Sequence, residues 1–301
     1  DRSLKIAQLN ARSAVKKGDA IQDTIIDNNI DILALTETWF TSSHDLSVIH
    51  SIVPDGYTVH HQPRPSGGRG GGVALIYRTS AKANVNSHSN YATFEHLDIT
   101  LTHDSHALRV VIIYRPPSSS VPQFITEFAN LVDDLNLSNG KLVMLGDFNI
   151  HVDKSDNRDA TAFLDTLEAS NLMQHVSEAT HSHGHILDLI ISRPTELTFS
   201  KIELDNSVQS DHAMVICSVS VPKLPIPRKT IAFRKWKNVD QEEFKNDIRA
   251  TLIIPPEATA VETVKIYNDT LQTIADKHAP LKKKDVIIRP QTPWHTEEVK
   301  S

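Results

Sequence analysis

KLVMLGDFN, residues 141–149, is the stretch from which the fold is read. Its apolar run, Leu142 to Leu145, has no polar alternation, which is the pattern of a strand buried on both faces. Gly146, Asp147 and Asn149 then break the run where a strand leaves its sheet, and a scaffold presents reactive side chains at such exits. Working outward, DILAL, RVVIIY, ILDLII and MVICSV repeat the pattern. Strands are expected at 4–9, 31–36, 71–77, 94–101, 108–114, 141–145, 186–192 and 213–221. Helical spacing falls between them at 18–29 (Ile21, Ile25, Ile26), 121–135 (Phe124, Phe128, Leu131, Val132, Leu135) and 159–171 (Phe163, Leu164, Leu167). This mixed order implies an α/β fold, a four-layered sandwich of two packed sheets with outer helices.

The composition fits that architecture. Of 301 residues, 39% are hydrophobic and 23% charged, enough apolar mass for a sizeable core and against disorder throughout. The longest apolar runs, 73–77 and 110–114, fall far short of the roughly 18 residues a membrane span needs. The chain opens DRSLKIAQLN with no apolar leader, which reads as a fragment or a processed start rather than a secretory signal. Cys217 is the single cysteine, so a disulfide within the chain and a cysteine zinc site are excluded; in MVICSVSV it reads as a buried, inert thiol.

Charge is uneven. Residues 223–301 hold 15 of the 31 Lys and Arg but 11 of the 37 Asp and Glu, a net of +4, against −10 for residues 1–222. An acidic body argues against a passive DNA-binding module and suits carboxylates that hold a metal. The texture changes at Val221: VPKLPIPRKT, with three prolines in six residues, reads as a linker, followed by helical patterns at 240–252 and 260–278. The expected division is therefore 1–222 and 223–301. SGGRGGG, residues 66–72, lacks the Lys-Ser/Thr ending of a phosphate loop and precedes a strand, so it reads as a mobile surface loop.

Four sets of polar residues sit at expected strand ends. Asp147 and Asn149 are two apart and project to one side in extended geometry, where they can hold a water and a phosphate oxygen; an Asx turn is the alternative. His212 in SDH needs an orienting carboxylate, and Asp188, which interrupts ILDLII, suits it; a structural buried ion pair is the alternative. Glu37 in LTETW, with the Asn10 amide, can hold Mg²⁺, or it is a surface glutamate. Tyr114 and Arg115 in IIYRPP can grip a phosphate, or the ring caps the core. In HSHGH, His181, His183 and His185 would share one face of a strand and make a zinc site, whereas Gly184 suggests a turn tip.

The order N…ETW…YRPP…GDFN…LDLI…SDH resembles the endonuclease/exonuclease/phosphatase superfamily, which includes deoxyribonuclease I and abasic-site endonucleases. NARS, LTETW, GGGVALIY, IIYRPP, GDFNIH, HILDLIIS and SDHAMV together resemble the endonuclease domain of a LINE-type non-LTR retrotransposon, over about residues 3–221. The basic tail ending TPWHTEE is similar to the connector that leads, in such elements, to a reverse transcriptase.

The resemblance implies Glu37 as principal Mg²⁺ ligand, with Asn10 nearby and Asp211 in support, and Mn²⁺ able to substitute. It implies Asp147 as activator of water, Asn149 as holder of the phosphate, Asp188 and His212 as a dyad serving the phosphoryl group, and Tyr114 against the scissile phosphate. Arg12, Arg115, Thr180 and Ser210 are expected at the DNA, with Arg64 and Arg69 as further basic candidates. Only seven residues separate Thr180 from Asp188, a short hairpin that implies loose sequence preference. The implied partners are double-stranded DNA and a reverse transcriptase on the same polypeptide, with action in the nucleus after synthesis in the cytoplasm; neither a membrane nor self-association is implied. Two other readings stand beside this one: a phosphoesterase of the same scaffold acting on a small or lipid phosphoester, and a non-catalytic DNA-binding remnant.

Overall fold

The computed structural model describes residues 3–41, 46–65, 70–103, 106–136, 140–200, 202–220 and 228–287. The chain runs β1 (Leu4–Asn10), α1 (Gly18–Asp27), β2 (Ile32–Thr36), α2 (Leu46–His50), β3 (Tyr57–Gln62), β4 (Val73–Arg78), β5 (Lys82–Asn86), β6 (Glu95–His103), β7 (His106–Tyr114), α3 (Val121–Asn136), β8 (Lys141–Asp147), α4 (Arg158–Ala169), β9 (Met173–Gln174), β10 (Asp188–Ser192), β11 (Glu203–Asp205) and β12 (Met214–Val219). A second unit, Arg228–Ile288, holds β13 (Arg228–Phe233), α5 (Gln241–Thr251), α6 (Ala260–His278) and β14 (Lys282–Ile287).

The unalternating runs become the inner strands of two six-stranded mixed sheets, ordered β11-β12-β1-β2-β4-β3 and β5-β6-β7-β8-β10-β9. In the first sheet Leu4, Ile6, Ile32, Ala34, Val73 and Leu75 join the core shared with β6, β7, β8 and β10. Their neighbours Ala7, Leu9, Leu33, Leu35, Ala74 and Ile76 face the other way, onto Ile21 and Ile25 of α1. Both faces are thus apolar because both are covered, one by a sheet and one by a helix. On the far side of the second sheet, α3 and α4 contribute Phe124, Phe128 and Phe163, which pack with Phe148 at ring-centroid separations of 5.4–6.2 Å. The Asn157 side chain caps α4 by accepting from the backbone N–H groups of Asp159 and Ala160. The result is the four-layered sandwich, helix, sheet, sheet, helix. Cys217 lies inside it, and burial pushes its thiol up to about 12.

Gly146 is required by packing. β7 and β8 run parallel with Ile113 opposite Gly146, and a Cβ there would overlap the Ile113 carbonyl group. No other residue fits where the strand approaches its neighbour this closely.

In the second unit α5 and α6 form where the periodicity expects them. Asp240 caps α5, and Thr259 with Glu262 makes a capping box on α6. The linker is shorter than the sequence suggests: 221–227 lie outside the described residues, but Arg228–Phe233 is a strand paired antiparallel with β14. Among the described residues this unit buries only Ile274 and Ala279 of its apolar side chains. No helix of the described residues is long and apolar enough to cross a membrane.

Candidate active site

The topology brings the candidate residues to one end of both sheets. β1 and β2 are parallel, with Asn10 opposite Thr36, so Asn10 and Glu37 leave their strands side by side. β7 and β8 are parallel, with Tyr114 opposite Asp147. β10 runs antiparallel to β8 and starts where β8 ends, with Asp188 opposite Asp147. β12 runs antiparallel to β1, so His212 precedes β12 at the end where Asn10 leaves β1.

Two hydrogen-bonded groups result. In the first, Asn10 Nδ2 donates to Asp147 Oδ2 at 2.8 Å and to Glu37 Oε1 at 3.2 Å. Tyr114 donates its hydroxyl to Glu37 Oε1 at 3.0 Å, and Trp39 Nε1 donates to Glu37 Oε2 at 3.2 Å. Asn149 donates its backbone N–H to Asp147 Oδ1 at 2.9 Å and its amide to Asp147 Oδ2 at 3.0 Å. In the second, Asp188 bridges Gln8 Nε2 at 3.1 Å and His212 Nδ1 at 2.7 Å. The groups meet, since ligating atoms of Asp147, Asp188 and His212 all lie within 4.8 Å of one another. Ser210 ties the margins by donating to the Asn10 carbonyl at 2.7 Å and accepting the His212 N–H at 3.2 Å.

Backbone strain gathers here. Among the described residues, five of the seven non-glycine positions with left-handed φ are Arg12, Ser13, Glu37, Trp39 and Asn149. Such conformations cost of order 1–3 kcal/mol each and persist where surrounding bonds impose them. Here those bonds are identifiable: Ser13 donates to the Glu37 carbonyl, Ala14 to that of Thr38, and Trp39 to that of Gly71. Gly71 and Gly72 are therefore not a free loop. Both are buried, and the Gly72 N–H donates to Glu95. Residues 66–69 of the same stretch, Arg69 among them, lie outside the described residues.

Burial and charge set the protonation states. Asp147 is buried and pushed up to about 7, first by desolvation and then by the Asp188 carboxylate. His212 is pushed up to about 9: burial opposes its charge, but the hydrogen bond and charge of Asp188 outweigh that, with Asp147 adding. Burial, then Glu37, raises Tyr114 well above its ordinary value, so the phenol stays a donor. Among the described residues His212 Nε2 has no protein partner, and that edge is available to a substrate.

Three residues expected at the DNA hold the scaffold instead. Arg115 is 2% exposed, and its guanidinium donates to the carbonyls of Phe148, Ser119 and Asn149. The arginine follows the buried strand β7, and all three of its guanidinium nitrogens donate to backbone carbonyls of the interior. Thr180 is 1% exposed and accepts from the N–H groups of Leu187 and Asp188. The Ser210 hydroxyl is engaged on both sides, as described above. Asn149 also differs from expectation. Its amide hydrogens go to Asp147 and to the Arg115 carbonyl, so it orients Asp147 rather than the phosphate. The strand of alternating histidines does not form. His181 and His185 pair across a tight turn with Gly184 at its tip, and His181 packs against His212 with centroids 4.7 Å apart.

Sequence reasoning misses several residues. Gln8 donates to Asp188 and Trp39 to Glu37, and Glu95 binds Arg64, whose guanidinium lies 5.9 Å from the centroid of the Tyr114 ring. The polar Gln8 between the apolar Ala7 and Leu9 of β1, fully buried, is the signal that could have found it.

The donor set suits a hard divalent cation. Glu37, Asp147, Asp188 and Asp211 bring carboxylates to this end of the two sheets, and Asp211 Oδ1 is buried with no hydrogen-bond partner among the described residues. Its other oxygen pairs with Arg12. Lys17 feels both Asp211 and Glu37, placing them in one electrostatic neighbourhood. An orphaned carboxylate oxygen is a ligand that an oxygen-seeking cation can use.

The profile of the Endonuclease/Exonuclease/phosphatase family matches residues 7–212. None of the curated proteins compared by sequence matches the chain. Among solved structures, the chain is similar to the endonuclease domain of TRAS1, a telomere-specific non-LTR retrotransposon, at 12% identity and a TM-score of 0.58, covering 74% of this chain and 99% of that one. It is also similar to the AP endonuclease LMAP from Leishmania major, at 15% identity and a TM-score of 0.56, covering 73% of this chain and 89% of that one. A third is the 3′ phosphatase NExo from Neisseria bound to product DNA hairpin, at 19% identity and a TM-score of 0.55, covering 71% of this chain and 98% of that one. At these identities the likeness is one of fold.

Proposed function

The chain belongs to the endonuclease/exonuclease/phosphatase family, whose members hydrolyse phosphoester bonds, and from that membership we propose that it is a Mg²⁺-dependent endonuclease that nicks double-stranded DNA. The observation that carries the proposal is the meeting of Asp147 with the Asp188–His212 pair beside a hydrogen-bonded Glu37. Hydrolysis of a phosphodiester needs a base for water, neutralisation of the phosphoryl charge and stabilisation of the departing oxygen. Asp147, oriented by Asn10 and Asn149, takes the proton from the attacking water. His212, kept cationic by Asp188, donates from Nε2 to a phosphoryl oxygen as charge builds there. Glu37, fixed by Tyr114, Trp39 and Asn10, would hold the divalent cation with support from Asn10 and Asp211. When bound, that cation supplies Lewis-acid neutralisation of the phosphate and of the oxygen that leaves. The water oxygen bonds to phosphorus as the P–O3′ bond breaks, leaving a 5′-phosphate, and the departing O3′ takes a proton from solvent to become the 3′-hydroxyl.

We further propose that this hydroxyl primes reverse transcription at a target site, with a reverse transcriptase on the same polypeptide and action in the nucleus. The LINE-type motifs support this, as does the likeness to the TRAS1 endonuclease domain. Residues 223–301 would then be the connector. Their ribbon carries Arg228, Lys229, Lys282, Lys283 and Lys284, offered as phosphate contacts alongside Arg12 and Arg64.

The test is conversion of supercoiled plasmid to open circle by the full chain with Mg²⁺, its loss with chelator, and extension of the product by a polymerase that needs a 3′-hydroxyl. Release of inorganic phosphate from a soluble phosphoester without nicking would assign the scaffold to phosphatase chemistry instead.

A further inference from the structure

Apart from the residues assigned to hydrolysis, His151, Asp153 and His185 form a second cluster. His151 and Asp153 follow β8, and His185 closes the turn 181–185 that leads into β10. Asp153 Oδ2 lies 3.0 Å from His185 Nδ1, and its Oδ1 accepts the Ile186 N–H, also at 3.0 Å. The imidazole rings of His151 and His185 have centroids 4.2 Å apart and planes tilted by 56°. One ligating atom from each of the three residues lies within 4.8 Å of the other two.

A hydrogen-bonded pair accounts for Asp153 and His185 but not for His151. Its Nδ1 is buried and has no hydrogen-bond partner among the described residues. A buried ring nitrogen left without a partner calls for an explanation, an ion among them. Burial, then the neighbouring His185, holds the His151 imidazole below its ordinary value.

We propose that His151, Asp153 and His185 bind a zinc-class divalent transition metal, separately from the oxygen-rich cation site in the cleft. Two imidazoles and one carboxylate are borderline donors that suit Zn²⁺ and leave Mg²⁺ poorly served. Metal–ligand bonds of about 2.0–2.1 Å at tetrahedral angles set neighbouring ligands about 3.3 Å apart, so the Asp153–His185 pair needs to open by only a few tenths of an ångström. The Ile186 N–H fixes the carboxylate, as the outer partners of metal ligands do. The remaining positions face solvent and take water. Bound metal would clip the segment after Asp147 and Asn149 to the turn before Asp188, stiffening both walls of the cleft.

The test uses the full chain with excess Mg²⁺ present, titrated with Co²⁺ followed by visible absorption and with Zn²⁺ followed by calorimetry. The expected result is one equivalent with a tetrahedral Co²⁺ spectrum and a higher Tm with Zn²⁺. Asp153→Asn should weaken binding by about tenfold or more, and His151→Ala with His185→Ala should abolish it and the Tm gain. His212→Ala, which removes the histidine of the catalytic pair, should leave the Co²⁺ spectrum intact. The proposal is overturned by absence of uptake, by binding that survives the double substitution with its far-ultraviolet dichroism unchanged, or by a Co²⁺ spectrum lost in His212→Ala. None of these readouts depends on nicking, so the proposal stands or falls apart from the nuclease reading.

Discussion

His212 and Asp147 are both shifted upward, so each makes stability fall as pH rises, His212 because its charged form is favoured in the fold and Asp147 because its charged form is penalised. The folded value of His212 is raised to about 9 from an ordinary 6.5. Its contribution is fully present below about 6.5 and is lost as pH rises through about 9, a span on the order of 3 kcal/mol. Thermal unfolding should therefore show the wild-type Tm falling between pH 6.5 and 9 more steeply than that of His212→Ala; parallel profiles would contradict the pairing. Asp147 is an acid raised from 3.8 to about 7, so its ionised form is penalised in the fold and stability declines as pH rises across that interval. In metal-free buffer at pH 7.5, Asp147→Asn should melt at or above wild type, and with Mg²⁺ added its nicking should be lost; a clear fall in Tm would show that the carboxylate is held for stability. The candidates themselves are legible because polar residues at strand ends stand out against apolar runs. The roles of Arg115, Thr180 and Ser210 are not, because a sequence does not say whether a polar group at a strand end turns outward or inward to free backbone.

At the scale of elements, the inner strands are readable because burial on both faces leaves unbroken apolar runs. The edge strands are not. β5, KANVN, and β3, YTVHHQ, lack such runs, since an edge strand needs little apolar surface and gains from polar residues that discourage further pairing. β13 and β14 are hidden by lysines for the same reason. The tightest constraint on an element is Gly146. Gly146→Ala should force β8 away from β7 and lower stability by several kcal/mol, read as a large fall in Tm or loss of soluble protein, because the atom it meets is backbone. A near-wild-type Tm would mean that the two strands approach less closely than this packing requires.

Over the whole molecule, the body is acidic and the basic surplus sits beyond residue 222, so affinity for DNA and its chemistry are expected to be separable. Replacing Lys282, Lys283 and Lys284 by Glu in the full chain should weaken plasmid binding and flatten its salt dependence, by about 0.9 in log–log slope for each phosphate no longer neutralised, with turnover at saturating DNA retained. An unchanged slope would remove the ribbon from the DNA. The layered fold follows from the sequence because alternating strand and helix patterns admit few packings; in the second unit the two helices follow from their periodicity, and the β13–β14 ribbon does not, because it buries too little to leave an apolar signature. The central claim is that side chains from six separate strand ends act as one hydrolytic site. Its most direct measurement is the nicking rate of supercoiled plasmid with Mg²⁺ for wild type, Asp147→Ala, His212→Ala and Glu37→Ala, each with its fold checked by circular dichroism. Loss of nicking by at least about a hundredfold in every variant is the predicted result; folded variants that nick at the wild-type rate would contradict it.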